Sequence, residues 1–247
     1  MPQSALTRIM RKDMKSIKTF DLNSMGIYIE FNENDLFQAN AMIVGPKDSL
    51  YEGGFLFFTI RFPSNYPYSP PDIAYVSRNN VRIHPNIYVG RHTSGLGKIC
   101  LSILGTWSGP KWTTIMDIST VLLSIQSLLD TNPFYHEPDM KNSPSLVNNN
   151  YNELIQYETI ATLILKNITD IPHGFDIFKP HMIHELHTNY ESLLSIIHEW
   201  DTKQICIIKI PFYRIIQKLE YQKIYKAFTD IIPLFIELNS LEHKFDI

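Results

Sequence analysis

Apolar residues recur at helical spacing near both ends of the chain and at strand-like spacing between them. An apolar stripe over residues 5–19 predicts a first helix, with Ser4 as its cap. Short segments that alternate, or that are rich in β-branched and aromatic residues, predict four strands at 26–31, 37–44, 55–62 and 72–77. Because the links between these strands are short, we expect an antiparallel meander.

Helical periodicity returns after the strands, in the segments 114–130, 151–168, 180–200 and 211–243. Thr113 or Thr114 is the expected cap of the first of these helices, and Asn132-Pro133 marks its end. The polar residues 139–150 predict a loop. Strands flanked by helices on both sides predict an α+β fold.

A break in the pattern divides the chain into two predicted units. Pro172, His173 and Gly174 interrupt the periodicity shortly after the helix at 151–168. We therefore expect a core domain at 1–168 and an α-helical C-terminal extension at 169–247.

Composition favours a soluble intracellular protein. The chain has 247 residues, 44% of them hydrophobic, and a net charge of −3, which gives no electrostatic reason to expect binding to nucleic acid or to a membrane. The N-terminus lacks an apolar run of signal-peptide length, and no window is long enough to span a membrane. Two cysteines cannot form a disulfide framework, which favours a reducing compartment. We expect the cytoplasm, with the nucleus as an alternative, or the host cytoplasm if the chain is viral.

Cys100 is the main candidate for chemistry. The tripeptide His-Pro-Asn (84–86) precedes it, and a loop with Trp107, Gly109, Pro110 and Trp112 follows, as shown by the segments "HPN" and "CLSILGTWSGPKW". A nucleophilic thiol needs a thiolate, a donor for the oxyanion that it creates, and an accessible rim. Asn86 can supply an amide N–H to the oxyanion, and the ring of His84 can order the turn. The alternative is a buried, inert cysteine, since free cysteine packs like a small hydrophobe.

Other chemically interesting residues carry less information. His181, His184 and His187 follow one another at three-residue steps, so that the third rotates off the helix face shared by the first two, and we expect no metal site. Cys206 has no acidic or histidine neighbour in the sequence, which favours an inert role.

The quoted segments, together with "YEGGFLFFTIRFPSNYPYSPPDI", resemble the ubiquitin-conjugating enzymes over about residues 5–168. The run from "CLSILGTWSGPKW" to "NPFYHEP" is similar to the large Z-type members of that family. The resemblance implies the family's UBC fold, a four-stranded antiparallel meander flanked by helices. It implies that Cys100 accepts ubiquitin as a thioester and passes it to a substrate lysine. It also implies that Asn86 stabilises the oxyanion or holds a nearby loop, and that His84 orders the turn.

The resemblance further implies a set of protein partners. Tyr68 in the proline-rich loop, and Pro110 and Lys111 in the second loop, match ligase contacts. Arg8, Arg11 and Lys12 match a basic face shared by activating enzymes and ligases. The expected partners are ubiquitin or a ubiquitin-like modifier, an activating enzyme, a ligase and a protein substrate. No metal or organic cofactor is expected, because the activating enzyme uses the ATP.

The sequence departs from the family pattern at three places. Thirteen residues separate Asn86 from Cys100, about twice the usual number, so residues 90–97 are an expected insertion that serves as a lid or as a plain surface loop. Many relatives carry an aspartate where this chain has "NPFYHEP". Glu137 and His136 are equal candidates to position the incoming lysine and help it lose its proton, with Tyr135 as a third. Residue 102 is serine, where small relatives often have an acid.

Two other functions compete with conjugation. A catalytically inactive scaffold or decoy would keep the fold and bind ubiquitin or ligases, although the presence of both Cys100 and Asn86 argues against it. A cysteine protease would need a histidine paired with the thiol, and the proline loop and tryptophan loop would have no role in it. For a conjugating enzyme we expect Cys100 to lie in a shallow groove, with the two tryptophans as partly buried props.

Overall fold

The computed structural model describes residues 2–90, 95–138, 140–141 and 144–242. The α-helices are α1 (Pro2–Arg8), α2 (Met14–Thr19), α3 (Ile118–Gln126), α4 (Ser145–Glu158), α5 (Asn167–Thr169), α6 (Lys179–Ile196) and α7 (Tyr221–Glu242). The strands are β1 (Ile27–Asn32), β2 (Asp35–Val44), β3 (Phe55–Arg61), β4 (Asp72–Val76), β5 (Leu96–Lys98), β6 (Cys206–Ile210) and β7 (Ile215–Leu219). Single turns of 3-10 helix connect several of them, including Ser102–Leu104, Pro133–His136, His198–Asp201 and Pro211–Tyr213.

The first five strands form one antiparallel sheet in the order β1-β2-β3-β4-β5. This confirms the predicted α+β fold and the meander of its first four strands. The meander needs glycine at the β2–β3 connection. A Cβ on Gly45 would lie 1.7 Å from the carbonyl oxygen of Tyr51, and Gly53 has a φ of 72°. Local turn chemistry therefore brings β2 and β3 together.

The hydrophobic core lies between the sheet and the helices. Four of the seven side chains of β3, Phe55 to Phe58, are buried without a break, as expected for a central strand covered on both faces. Helices α3 and α4 contribute buried apolar side chains to the same core, among them Leu122, Ile125, Leu154 and Ile155.

Two helices of the first unit differ from their predicted limits. Helix α3 begins after Asp117, whose Oδ1 accepts the N–H of Thr120 at 3.1 Å, so the predicted caps Thr113 and Thr114 are wrong. A carboxylate just before the first helical residue can reach an unpaired N–H of the first turn, whereas the threonines lie too far upstream. Helix α4 begins at Ser145, so the predicted loop at 139–150 is too long. Three residues of that loop, at positions 139, 142 and 143, lie outside the described part of the chain.

The long α4 helix continues as a π-helix over Thr159–Lys166, and the first helix contains a π-helical turn at Ile9–Asp13. Both predicted helices are therefore present, but neither is a regular α-helix throughout.

The sheet and the extension differ from the prediction at two further points. A fifth strand, β5, adds to β4 at the end of the predicted 90–97 insertion. In the extension, helix was predicted from Pro211, but the chain instead forms an antiparallel hairpin of β6 and β7 and enters helix only at Tyr221. Exposed positions alternate with buried or half-buried ones along both strands, and the isoleucines that make up much of the two strands favour such pleated surfaces over helices. The extension is therefore helical at α6 and α7 but not throughout.

The extension packs against the first unit through specific side chains. The Oγ of Ser192 donates to Glu52 Oε1 at 2.7 Å, and the hydroxyl of Tyr28 donates to Glu185 at 2.7 Å. Trp200 is buried and stacks on Tyr157, with 5.8 Å between ring centroids. One hydrophobic cluster therefore includes side chains from both predicted units. Helix α5 ends at Thr169, next to the predicted boundary, and the division into two domains stays a prediction.

Within the described residues, none of the helices combines the length and the apolar character needed to cross a membrane.

Candidate active site

Two reciprocal hydrogen bonds join Cys100 to Asn86. The backbone N–H of Cys100 donates to the carbonyl oxygen of Asn86 at 2.8 Å. The side-chain Nδ2 of Asn86 donates to the carbonyl oxygen of Cys100, also at 2.8 Å. An adjacent antiparallel bridge between Ile87 and Ile99 holds the two segments in register. Pairing of the backbone thus closes the 13-residue gap and places the amide of Asn86 beside the cysteine.

His84 orders the turn that presents Asn86. Its Nδ1 accepts the backbone N–H of Asn86 at 2.9 Å, which requires an unprotonated Nδ1. The residue is fully buried, and its ring centroid lies 4.9 Å from that of His136. Burial lowers the pKa of His84 well below its usual value, and His136 adds to the effect. The ring is therefore a neutral hydrogen-bond acceptor in the folded protein.

Replacing His84 with glutamine is expected to reduce the acid sensitivity of the fold. The pKa of His84 is lowered in the folded protein, so the unfolded chain binds more protons at pH values below its ordinary pKa of 6.5. The contribution of the neutral His84 ring to the free energy of unfolding is therefore fully present above pH 6.5. This contribution falls as the pH drops below 6.5, by up to about 1.4 kcal/mol per pH unit. Urea midpoints at about pH 7.5, 6.5 and 5.5, on either side of this pKa, measure the slope.

His198→Gln is the control for the pH experiment, because the side chain of His198 is 69% exposed. His181, whose pKa burial also lowers, is unchanged in both variants. The expected result is a shallower slope for His84→Gln than for His198→Gln. Equal slopes would show that His84 does not couple folding to protonation.

His136 and Glu137, the two candidates for positioning the lysine, have different surroundings. His136 lies beside the His84 ring, and its Nε2 is 2.8 Å from Asp130 Oδ2. Glu137 has an almost buried side chain, and its Oε2 accepts a hydrogen bond from the hydroxyl of Tyr213 at 2.6 Å. His136 is thus linked to Cys100 through His84 and Asn86, whereas Glu137 is linked to the extension. Tyr135, the third candidate, lies in the same 3-10 turn as His136.

Thr106 is a site residue that the sequence reasoning missed. Its Oγ1 donates to the carbonyl oxygen of Ile99 at 2.7 Å and accepts the N–H of Leu101 at 2.9 Å. These are the two neighbours of Cys100, so one hydroxyl fixes the backbone on both sides of the thiol. Asp130, whose Oδ2 lies 2.8 Å from Nε2 of His136, was missed too. An isolated threonine or aspartate carries no motif, and only the fold shows these contacts.

Cys100 is more enclosed than expected. The residue is 3% exposed, whereas a shallow groove would leave more of it open. The sequence predicts that the insertion at 90–97 is either a lid or a plain surface loop, but its residues 91–94 lie outside the described part of the chain. Ser102, the third departure from the family pattern, is half-buried in the 3-10 turn after the cysteine.

The proposed ligase-contact loops lie together at the surface. The indole N–H of Trp112 donates to the carbonyl oxygen of Pro67 at 2.6 Å, which ties the second loop to the proline-rich loop. Tyr68 is 77% exposed, and Pro110 and Lys111 are exposed as well. Trp112 is the half-buried prop that the sequence predicts.

Trp107, by contrast, is exposed, so the expectation that both tryptophans act as props is wrong for this one. The hydrogen bond that anchors Trp112 depends on a carbonyl oxygen 45 residues away, a contact that the local sequence does not reveal.

The basic side chains of the first helix are partly used inside the protein. The guanidinium of Arg8 donates to the carbonyl oxygens of Met116 at 2.6 Å and Thr114 at 3.3 Å, and Lys12 donates to Ile115. These bonds fix the loop before α3 next to the loops that carry Tyr68 and Lys111. Arg11 is exposed. The first helix and the two loops therefore form one continuous surface, although Arg8 itself is largely covered.

No cluster of three or more potential metal ligands occurs in the described part of the chain. His181 instead stacks on Tyr28, with 4.1 Å between ring centroids.

Comparison with known proteins gives the family of the chain. A family model described as "Ubiquitin-conjugating enzyme" matches residues 9–162, which is more than half of the chain. A zebrafish (Danio rerio) protein named "Ubiquitin-conjugating enzyme E2 Z" is 39% identical over 166 residues, which cover 66% of this chain and 48% of the relative. The human protein of the same name is 42% identical over 143 residues, covering 56% and 38% of the two chains.

The chain spans less than half the length of these curated relatives. Among solved structures, an E2 domain from Toxoplasma gondii is 28% identical with a TM-score of 0.45, and the match covers 62% of this chain and 99% of that one. The family match extends from the first helix to the π-helical segment and includes His84, Asn86 and Cys100. The chain belongs to the ubiquitin-conjugating enzyme family.

Proposed function

We propose that Cys100 accepts ubiquitin, or a ubiquitin-like modifier, as a thioester from an activating enzyme and passes it to a substrate lysine. The observation that carries this proposal is the reciprocal pairing of Cys100 and Asn86, which places a side-chain amide beside the reactive residue. An amide nitrogen has two hydrogens, and the bond to the Cys100 carbonyl uses one of them. The second hydrogen is available for an oxyanion at the thioester carbon.

Two acyl transfers make up the proposed reaction. In the first, the Cys100 thiolate attacks the thioester carbon of the modifier on the activating enzyme; a new C–S bond forms, and the enzyme's thiolate leaves. In the second, the lysine amine attacks the same carbon, a C–N bond forms, the amine loses one proton, and the Cys100 thiolate leaves. Both steps pass through a tetrahedral oxyanion, which a positioned N–H stabilises.

The surface formed by Tyr68, Pro110, Lys111 and the first helix supports a role in binding partners. It combines an exposed aromatic ring with exposed backbone and basic side chains, and it is distinct from the hydrogen-bonded segment around Cys100. We assign it to the ligase and, at the basic end with Arg11, to the activating enzyme. The proposed reaction uses no metal or organic cofactor in this chain, and its proposed location is the cytoplasm or nucleus.

A catalytically inactive scaffold is the second candidate function. The observation in its favour is the enclosure of Cys100, since a thiol that no modifier can reach would leave only the binding surfaces in use. Both functions share the fold and the partner surface, and they differ in whether an adduct forms.

A thioester assay separates the two functions. Purified protein is incubated with ATP, ubiquitin and a panel of activating enzymes, with ubiquitin-like modifiers in parallel, and resolved on a non-reducing gel. Under the proposed function, a band heavier by one modifier appears, disappears with thiol reductant, and is missing in Cys100→Ala. If folded protein gives no adduct with any pair of modifier and activating enzyme, the scaffold function replaces it.

A further inference from the structure

The turn between β6 and β7 packs against the edge of the candidate active site. Phe212 and Tyr213 both meet the buried ring of Phe134 edge-on, with centroid distances of 5.9 and 5.8 Å. Tyr151 contacts the Tyr213 ring from another side, at 5.6 Å. Phe134 belongs to the 3-10 turn Pro133–His136, which immediately precedes Glu137. The extension therefore supports the segment that carries both lysine-positioning candidates.

Tyr213 also makes a polar contact with this segment. Its hydroxyl donates to Oε2 of Glu137 at 2.6 Å, a short hydrogen bond to a carboxylate. Burial raises the pKa of Tyr213, and the neighbouring Tyr151 and Glu137 raise it further, so the hydroxyl keeps its proton and remains the donor. The side chain of Glu137 is 15% exposed, which leaves little of it free to reorient.

Arg82 connects this contact to the His-Pro-Asn turn. Its guanidinium lies 4.9 Å from the ring centroid of Tyr213 and 3.7 Å from that of Tyr88. The same group lies 4.0 Å from Glu137 Oε2 and donates to the carbonyl oxygen of Pro85. Pro85 is next to Asn86, so a continuous set of contacts runs from the extension to the residue paired with Cys100.

We propose that Tyr213 is a positioning residue for the transfer of the modifier to lysine, and that it acts by fixing the carboxylate of Glu137. This inference rests on the proposed function. It assigns the extension a role in the second acyl transfer, through a residue outside the segment that the family model matches.

The transfer step needs a group that accepts a proton or orients the amine, and a carboxylate can do either. The lysine nitrogen attacks the thioester carbon, the C–N bond forms as the C–S bond breaks, and the sulfur leaves as the Cys100 thiolate. The nitrogen must release a proton, and a fixed carboxylate can accept it or orient the amine that releases it. Charging of Cys100 involves no amine, so it does not need Glu137. The two half-reactions therefore separate a positioning role from a general structural one.

The test uses Tyr213→Phe, which keeps the ring contacts and removes only the hydroxyl. Charged protein is isolated and chased with free lysine, and the decay of the thioester is followed on non-reducing gels. We expect transfer to slow by about tenfold, as for the loss of a hydrogen bond to a charged group. The rate of charging should match that of the unsubstituted protein. The melting temperature should fall no further than in a variant that loses an equivalent tyrosine–carboxylate hydrogen bond elsewhere in the extension.

Tyr221→Phe is the matched control. Tyr221 lies in the same extension, and its hydroxyl also donates to a carboxylate, that of Glu153, at 2.5 Å. This carboxylate belongs to α4 and pairs with Lys203 rather than with the active-site edge. We expect Tyr221→Phe to transfer the modifier at the unsubstituted rate.

A double variant tests whether Tyr213 acts through Glu137. In a Glu137→Gln background, Tyr213→Phe should cause no further loss, because the carboxylate that it fixes has been removed. Unchanged or faster transfer in Tyr213→Phe, or additive losses in the double variant, would overturn the positioning role while leaving the proposed function intact. Failure of the unsubstituted protein to form a thioester would overturn the proposed function and the positioning role with it.

Discussion

Substituting serine for Cys100 is expected to abolish modifier transfer and to trap the modifier on the protein. The serine hydroxyl attacks the same thioester carbon, and the resulting oxyester resists thiol reductants that cleave a thioester. An oxyester is also a poorer acyl donor to amines, because an alkoxide is a worse leaving group than a thiolate. The non-reducing gel should therefore show an adduct that persists in reductant and does not decay when lysine is added.

The fold should survive this substitution. Cys100 is held by backbone hydrogen bonds, through its own N–H and carbonyl oxygen and through Thr106 on either side, and serine keeps all of them. A buried hydroxyl without a partner costs about 1–3 kcal/mol. The melting temperature should fall by a few degrees without loss of cooperativity.

Cys206→Ser is the matched control for the serine substitution. Cys206 is the second of the two cysteines, and its Sγ lies 3.6 Å from the hydroxyl of Tyr221, in the extension. This variant should form the same reductant-sensitive adduct as the unsubstituted protein. If Cys100→Ser still forms a reductant-sensitive adduct and Cys206→Ser does not, the thioester forms on Cys206, and the role given to Cys100 is refuted.

Replacing Asn86 with alanine is expected to have the second-largest effect. The amide donates to the Cys100 carbonyl, and its second hydrogen is available to the oxyanion. Loss of an oxyanion donor slows acyl transfer by about 100- to 1,000-fold. Transfer to free lysine, measured as thioester decay, should fall by this amount.

The same substitution also removes a buried structural bond. The carbonyl of Cys100 loses its partner, which costs about 1–3 kcal/mol of folding stability. The two roles that the sequence leaves open for Asn86 thus predict different patterns. If the amide only holds the backbone, transfer falls no further than the loss of folding stability explains. If it also stabilises the oxyanion, transfer falls much further than the change in melting temperature explains.

Asn167→Ala separates chemistry from stability. Asn167 is 1% exposed, and its Nδ2 donates to the backbone carbonyl oxygens of Phe55 at 2.8 Å and Leu163 at 3.1 Å. We expect Asn167→Ala to lower the free energy of unfolding as much as Asn86→Ala does. At a temperature where both variants are folded, Asn167→Ala should still transfer the modifier to lysine. Equal losses of transfer in the two variants would show that Asn86 has no chemical role.

The sequence by itself determined the elements whose signals are local. The alternation or the β-branched and aromatic content of β1 to β4, with glycine and proline in the longer links, determined the meander, because strand propensity and turn chemistry act over a few residues. The His-Pro-Asn turn is local as well, since the ring of His84 reaches the N–H two residues away. The order of this turn, the cysteine and the tryptophan loop indicated the family and named Cys100, Asn86 and His84 as candidates.

Other features depended on contacts between distant segments. The sequence suggested helix from Pro211, yet 211–219 completes a hairpin. Residues 215–219 pair with 206–210, and the buried face of the hairpin, which includes Ile208, Ile210 and Leu219, packs against the rest of the protein. Asp117, rather than a threonine, caps α3, and the freed residues 114–116 are held by Arg8 and Lys12, more than 100 positions earlier.

Only the tertiary structure decided the surroundings of Glu137. No sequence pattern links it to Tyr213, 76 positions later, since the contact exists only when the hairpin turn packs on Phe134. The same holds for the enclosure of Cys100 and for the hydroxyl of Thr106 on both its neighbours. Local patterns determine which residues form an element, but the packing of elements distant in sequence determines which side chains share a site.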